Sequence, residues 1–176
     1  MRMLVLTRHP IDRLISQLAL TRAQGGRLPN RTATPQQLAR ELLLGHWDGK
    51  PWDDGYVVED YAATHNFYLR ELVTDWLECR TCRMVAFEPL VARPVEVLAE
   101  CLDFLQVPAS IRSIEDATQS IRFETLSNGR KPGQVDTLSH YRRGIPGEWR
   151  SVFSADDIRL LRPKYAEAFA SAGYVL

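Results

Sequence analysis

The chain opens with an apolar run that gives way to an amphipathic pattern. Residues 3–6 are apolar and include a β-branched valine, which is typical of a short buried strand. Pro10 then fits the first turn of a helix, where its missing N–H costs nothing. Apolar residues recur after it at helical spacing, at Ile11, Leu14, Ile15 and Leu18. We therefore expect Arg8 at the carboxyl end of a strand and beside a helix N-terminus, where α/β sheets bind ligands and phosphate.

Capping and turn signals divide the rest of the chain into helices and one further strand. The first helix should end at Gly25-Gly26, a natural C-cap. Thr34 and Gln37 form a capping box that opens a second helix. Residues 84–87 are the second strand candidate. Further helices are predicted over about 58–78, from Pro94 to before Pro108, and over about 111–120 after a cap at Ser110. A final helix should begin at a cap at 154–157, kink or restart at Pro163, and end at Gly173.

Composition and charge indicate one soluble globular domain spanning residues 1–176. The apolar fraction is 45% and the charged fraction 25%, which is ordinary for such a chain. The 22 basic and 22 acidic residues cancel, which argues against a general nucleic-acid binder. We find no apolar run long enough to span a membrane and no signal peptide, so we expect no membrane partner.

The cysteines give weak signals for chemistry. Cys79 and Cys82 have the spacing of half a zinc site or of a redox pair, but no second pair or nearby histidine completes a ligand set, so we predict no metal. Cys101 falls on an apolar stripe with Leu98, Leu102 and Leu105 and should be a core thiol. The odd cysteine count favours a cytoplasmic location.

Arg8 and Ser16 are the first candidate binding residues. Ser16 lies beside the apolar stripe of the first helix, so its hydroxyl can face a site at the helix N-terminal end. The alternative is a surface arginine in a strand-to-helix turn and a solvated helix serine. These residues alone do not separate the two interpretations.

The segment from Thr7 to Pro10, followed by Ser16, resembles the 3′-phosphate-binding segment of sulfotransferases that use 3′-phosphoadenosine 5′-phosphosulfate (PAPS). In that family an arginine at the end of a strand and a serine two helical turns later bind the 3′-phosphate of the donor. The resemblance implies these roles for Arg8 and Ser16, which have the family's spacing.

Two later stretches match the family in the same order. Residues 85–90 resemble the strand that ends in Tyr-Glu-Asp-Leu, with Phe87 in place of the tyrosine. Residues 120–124 resemble the Ser-Phe-Glu segment that packs beside the adenine. Phe123 takes the phenylalanine position, which implies that it packs near the adenine. Ile121 occupies a position often held by threonine, and an isoleucine side chain cannot make the hydrogen bond that a threonine hydroxyl would make there.

A third stretch, residues 141–149, resembles the Arg-Lys-Gly…Gly-Asp-Trp motif, whose loop closes over the 3′-phosphate. Arg142, Arg143 and Gly144 match its first part. Two adjacent arginines before a glycine also suit an anion on physical grounds, because guanidinium forks and backbone N–H groups can converge on one phosphate. The alternative, a solvated pair of charges on a loop, does not explain the ordered matches.

Two parts of the family pattern have no match in this chain. We find neither the glycine-bearing loop that cradles the 5′-phosphosulfate nor the segment that carries the histidine base; the histidines present, at 9, 46, 65 and 140, match nothing catalytic. Only two strands are predicted, which is little sheet for so many helices. The chain therefore resembles the C-terminal portion of the family: a truncated reading frame, a split protein, or a chain completed by a partner.

The sequence thus predicts a helix-rich α/β chain with a parallel sheet, of the three-layer sulfotransferase and P-loop NTPase-like type, apparently incomplete at its N-terminus. The resemblance implies PAPS as co-substrate, 3′-phosphoadenosine 5′-phosphate (PAP) as product, and a small-molecule or glycan acceptor. We expect residues 27–56 to contact the acceptor. The alternatives are a non-catalytic PAP-binding remnant and a structural subunit in a homo-oligomer or with a completing chain. A kinase of related fold is a distant third.

Overall fold

The computed structural model describes residues 2–26, 28, 32–44, 81–171 and 173–176. The first part contains strand β1 (Met3–Thr7), helix α1 (Pro10–Ala23) and helix α2 (Pro35–Leu44). After residue 81 come β2 (Cys82–Ala86), α3 (Phe87–Ala92), α4 (Pro94–Leu105), α5 (Ile111–Ser120), α6 (Phe123–Leu126), α7 (Trp149–Val152) and α8 (Ala155–Ser171).

Strands β1 and β2 form a parallel pair. The register runs from Met3 opposite Cys82 to Thr7 opposite Ala86. Both strands therefore end at the same edge, and the residues that follow them, Arg8 and Phe87, leave the sheet side by side. The predicted class, a helix-rich α/β chain with a parallel sheet, is confirmed.

The main core lies among α1, α2 and α8. The apolar stripes predicted for these helices supply it, with Ile11, Leu14, Ile15, Leu18, Leu38, Leu42, Leu161, Tyr165 and Phe169 buried. A smaller cluster joins the sheet to α4 through Val85, Val97 and Cys101. The core thiol predicted at Cys101 is confirmed, since it is 4% exposed.

Three predicted helix caps form as hydrogen-bonded pairs. The Gln37 N–H donates to Thr34 Oγ1 at 3.1 Å, and the Thr34 N–H donates to Gln37 Oε1 at 2.7 Å. Ser110 Oγ accepts the Ser113 N–H at 3.1 Å and opens α5. At α8 the Asp157 N–H donates to Ser154 Oγ at 3.1 Å. The caps fix where these helices start, so the predicted N-terminal boundaries hold.

Phe87 begins a helix, whereas the sequence pattern placed it at the end of a strand. Strand β2 runs earlier than predicted, over Cys82–Ala86, and α3 follows at once. Glu88 and Pro89 explain this, because an acidic residue and a proline are both favourable in the first turn of a helix. The short helix places Glu88 beside the end of β1.

Two helix predictions also need correction. In α4 Val97 and Cys101 are buried, whereas the other members of the predicted stripe, Leu98, Leu102 and Leu105, are only half-buried. Helix α8 continues through Pro163 to Ser171, so of the kink or restart predicted at Pro163, the restart does not occur. The predictions for residues 45–80, and for Cys79 among them, lie outside the described residues.

Replacing Asp157 by asparagine tests the cap of α8. Asp157 accepts hydrogen bonds from Arg40 Nε at 2.9 Å and from the Ser154 N–H at 2.9 Å. The hydrogen bond from Arg40 is the main cause that lowers the pKa of Asp157 to about 2. In the unfolded chain the pKa is about 3.9, so the charged form stabilises the fold above about pH 4 and this stabilisation is lost as the pH falls toward 2.

We expect Asp157→Asn to lower the free energy of unfolding at neutral pH by about 1 kcal/mol and to flatten its pH dependence between about pH 4 and 2. Urea unfolding at a series of pH values measures both. Asp156→Asn is the control, because Asp156 is 79% exposed and pairs with an exposed Arg159. Equal losses in the two variants would contradict the assignment.

Candidate functional site

The carboxyl edge of the sheet holds Arg8 against an aromatic ring. The Arg8 guanidinium carbon lies 4.7 Å from the centroid of the Phe87 ring. A cation over the face of an aromatic ring is attracted by the ring quadrupole, so Phe87 helps to fix the guanidinium. The parallel register creates this contact, because Thr7 and Ala86 are paired directly before the two residues.

Arg8 is a half-buried cation with a free donor. Burial lowers the pKa of Arg8, and the nearby charges of Asp12 and Glu88 partly offset that effect. An arginine stays protonated at physiological pH even so. Its Nε is buried and has no hydrogen-bond acceptor within the residues that the structure describes. This group can therefore bind an anion without first breaking a bond to the protein at Nε.

Asp12, in the first turn of α1, holds the loop of residues 141–148. Its side chain is almost completely buried and accepts the Trp149 N–H at 2.8 Å and also the Gly147 N–H. These amides lie at the N-terminus of α7, where N–H groups have no partner within the helix. The carboxylate thus joins the first helix to a loop more than 130 positions away.

A buried ion pair organises the same loop. Both terminal nitrogens of Arg142 donate to the Glu148 carboxylate, with Nη1 3.0 Å from Oε1. Arg143 Nη1 lies 3.6 Å from the same carboxylate, and Gln36 donates to it at 2.8 Å. Burial acts to raise the pKa of Glu148, but the hydrogen bonds and charge of Arg142, with Gln36 and Arg143, outweigh it, so the pKa is lowered. Glu148 is therefore ionised at neutral pH.

Gly144 packs directly against Phe123. Its φ is +71°, a conformation that glycine adopts freely, and a Cβ at this position would collide with the Phe123 ring. The Phe123 ring also lies under the Arg130 guanidinium, 5.4 Å from its centroid. The structure thus places the predicted adenine-side residue in contact with the predicted phosphate loop.

Five of the six predicted site residues lie close to one another. Arg8 is near enough to Arg142 for the two positive charges to repel, Arg142 and Arg143 share Glu148, and Phe123 touches Gly144. Ser16 lies on α1 and is half-buried. Within the described part of the chain, no hydrogen bond or ion pair joins it to the other five.

The sequence did not reveal the carboxylates that support these cations. Glu88 Oε1 accepts the His9 N–H at 2.9 Å, and Oε2 accepts the Tyr174 hydroxyl at 3.0 Å. One feature of the sequence pointed to Asp12 as a structural residue, because it is acidic and lies in the first turn of a predicted helix. Another feature pointed to Glu148, namely its place in the Gly-Asp-Trp-like segment. Nothing near Tyr174 pointed to the site.

His9 is buried in an aromatic cage. Its ring stacks on Trp149 with 4.5 Å between centroids and meets Phe169 and Tyr174 edge-on. Burial is the main cause that lowers the pKa of His9 to about 4. The imidazole is therefore neutral at physiological pH and packs as part of the wall behind Arg8.

Among residues 2–26, 28, 32–44, 81–171 and 173–176, no group of three or more histidine, cysteine, aspartate or glutamate side chains is placed to hold a metal ion. No helix in the same residues has both the length and the hydropathy needed to cross a bilayer.

Comparison with known proteins identifies the family. The family model of the sulfotransferase domain matches residues 1–173. The chain therefore belongs to the sulfotransferase family, as the ordered motifs predicted. A search of curated proteins finds no match.

Solved structures support the same fold. Mouse sulfotransferase SULT7A1, determined in complex with PAP, matches with a TM-score of 0.59 and 17% sequence identity, over 96% of this chain. At this identity the likeness shows the fold alone. The chain corresponds to 58% of the length of that structure.

Replacing Gly144 by alanine tests the contact with Phe123. We expect a cost of about 1 kcal/mol from the positive φ and about 1–3 kcal/mol more from the collision with the ring. Gly25→Ala is the matched control, because Gly25 has φ +68° and open space around it, so it carries the backbone cost alone. Urea unfolding compares the two. Equal losses would show that the ring does not limit this position.

Replacing Asp12 by asparagine tests the link between α1 and the loop. We expect a loss of about 2 kcal/mol in the free energy of unfolding. The asparagine side chain keeps one acceptor oxygen, but its NH2 group faces a backbone N–H of the loop, and two donors cannot form a hydrogen bond. Hydrogen exchange at the Trp149 amide should also accelerate. The exposed Asp103→Asn on α4 is the control and should change neither quantity; an Asp12→Asn variant that behaved likewise would refute the role.

Proposed function

We propose that this chain binds PAPS and transfers its sulfonyl group to a hydroxyl or amine of a small-molecule or glycan acceptor. In this proposal the described residues form the 3′-phosphate and adenine side of the donor site. Membership of the sulfotransferase family supports the reaction class. The solved relative SULT7A1 was determined with PAP, which supports the choice of nucleotide.

One observation carries the proposal: three neighbouring arginines have buried donors without acceptors. Within the described residues, the Nε atoms of Arg8, Arg142 and Arg143 are buried and donate to no acceptor. A buried donor left unsatisfied costs about 1–3 kcal/mol. A phosphate supplies acceptor oxygens to several such groups at once, and charge-assisted hydrogen bonds of this kind are strong.

The proposed roles follow from how each side chain is held. Arg8, with Ser16, binds the 3′-phosphate from the sheet edge, and Arg143 with Gly144 binds it from the loop. Arg142 contributes through Nε, because Glu148 holds its two terminal nitrogens. Phe123 packs near the adenine. No metal takes part.

The proposed chemistry is a displacement at sulfur. The acceptor oxygen or nitrogen attacks the sulfonyl sulfur, the bond from sulfur to the bridging phosphate oxygen breaks, the acceptor releases its proton to solvent, and PAP leaves. Catalysis of such a transfer consists largely of positioning and charge stabilisation, as in phosphoryl transfer. We assign no catalytic base, since His9 is buried against Trp149 with a low pKa.

A second candidate function is PAP binding without catalysis, and a third is a structural subunit completed by another chain. Leu6 on β1 is 59% exposed, which is unusual for an apolar residue in a short strand and suits a surface covered by a second chain. The non-catalytic candidate predicts PAP binding without sulfation of any acceptor, whereas the structural subunit predicts a complex or homo-oligomer with no nucleotide requirement. A cytoplasmic location stays a prediction from the cysteine count.

Calorimetric titration with PAP and with AMP, which lacks the 3′-phosphate, tests the donor site. We expect selective binding of PAP that weakens at higher salt, because the contact is between charges. Arg8→Ala should abolish PAP binding and leave adenosine binding unchanged. Arg112→Ala, an exposed arginine on α5, is the control and should bind PAP like the unsubstituted chain.

The outcomes separate the candidates. Equal loss of PAP and adenosine in Arg8→Ala would refute the 3′-phosphate role. Selective PAP binding without transfer of labelled sulfonate to a panel of hydroxyl and amine acceptors would favour the non-catalytic candidate. A folded, monodisperse chain that does not bind PAP would favour the structural subunit.

A further inference from the structure

Arg130 binds the outer side of the loop that carries the predicted anion ligands. Its Nη2 donates to the Tyr141 carbonyl at 2.6 Å and to Ser139 Oγ at 3.0 Å. Its Nη1 donates to the Arg142 carbonyl at 3.2 Å and to the Gln134 carbonyl at 3.3 Å. One planar fork thus holds two segments of the chain together, which a flexible ammonium group cannot do with the same geometry.

Two backbone hydrogen bonds continue this arrangement along the loop. The Asp136 N–H donates to the Arg142 carbonyl at 3.0 Å, and the Gly133 N–H donates to the Arg143 carbonyl at 2.8 Å. The segment that begins at Arg130 therefore lies along the outer side of the Arg142–Gly144 segment. The Arg142 carbonyl accepts from both Arg130 and Asp136.

Fixing these carbonyls also fixes two amides. A trans peptide is planar, so its N–H points opposite to its C=O. With the Arg142 and Arg143 carbonyls turned toward residues 130–136, the N–H groups of Arg143 and Gly144 must point away from them. In the described part of the chain neither N–H has an acceptor. Adjacent free amides of this kind form an anion-binding concavity.

We propose that Arg130 is a positioning residue that orients the amides of Arg143 and Gly144 toward the 3′-phosphate. The contact of its guanidinium with the Phe123 ring, which packs against Gly144, fixes the same loop from the adenine side. The inference rests on the proposed function, because it names the phosphate as the ligand. It adds a residue outside the motifs that the sequence comparison singled out.

Variants of Arg130 separate the hydrogen-bonding fork from the charge. Arg130→Lys keeps the positive charge and loses the fork, whereas Arg130→Gln loses both. We expect both variants to lower the ratio of PAP affinity to AMP affinity by about tenfold, the equivalent of about one good hydrogen bond. Lys131→Gln removes an adjacent exposed charge and should leave the ratio unchanged.

Hydrogen exchange without nucleotide gives a second readout that does not depend on the proposed function. The amides of Gly133 and Asp136 should exchange faster in both Arg130 variants, because their acceptor carbonyls are no longer held. If the unsubstituted chain does not prefer PAP to AMP, the proposed function fails, while this measurement still tests the ordering of the loop.

Three results would overturn the role of Arg130. If Arg130→Lys keeps the PAP preference of the unsubstituted chain while Arg130→Gln loses it, the charge alone is responsible. If exchange accelerates and the PAP to AMP ratio stays constant, Arg130 is merely structural. If neither quantity changes, Arg130 does not hold the loop.

Discussion

The buried Asp12 carboxylate accepts hydrogen bonds from two backbone N–H groups, and the rest of the site depends on this contact. It joins the first turn of α1, shortly after Arg8, to the segment that carries Arg142, Arg143 and Gly144. A buried carboxylate needs such donors, since burying an unpaired charge costs several kcal/mol. The N-terminus of α7 supplies them, because its N–H groups have no partner within the helix. The buried carboxylate needs hydrogen-bond donors and the N–H groups at the helix end need acceptors, and the same hydrogen bonds satisfy both.

The buried ion pair of Arg142 and Glu148 is a second contact that orders the loop. Replacing a buried pair by apolar residues is often neutral for stability, so pairs of this kind are weak evidence for a gain in free energy. Here the pair has a geometric consequence. It fixes the direction of the chain between Arg142 and α7, and Gln36 of α2 and Arg143 both contact the same carboxylate. The loop is thereby tied to the main core as well as to the sheet edge.

Local features of the fold could be predicted from sequence. Pro10 and the apolar stripe after it fixed α1, and the reciprocal side chains of Thr34 and Gln37 fixed the start of α2, because these signals act within a few residues. The helix at Phe87 was missed because an apolar run before Glu88 and Pro89 also fits a strand. The motifs predicted Arg8, Phe123 and the 142–144 segment as site residues, and the structure brings them near one another. Asp12, Glu88 and Arg130 were missed because their partners are set by tertiary structure, which spacing along the chain does not encode.

The parallel pairing of β1 with β2 has a consequence for how this chain folds. Each residue of β1 finds its partner 79 positions later, so pairing must close a long loop before any sheet hydrogen bond forms. Folds dominated by such distant pairings form slowly, and exposed strand edges promote aggregation in the meantime. On the ribosome, β1 emerges long before β2, and the segment that accepts Asp12 emerges later still. The arginine at the end of β1 therefore reaches its final surroundings only after the segment that contains Gly147 and Trp149 has been synthesised.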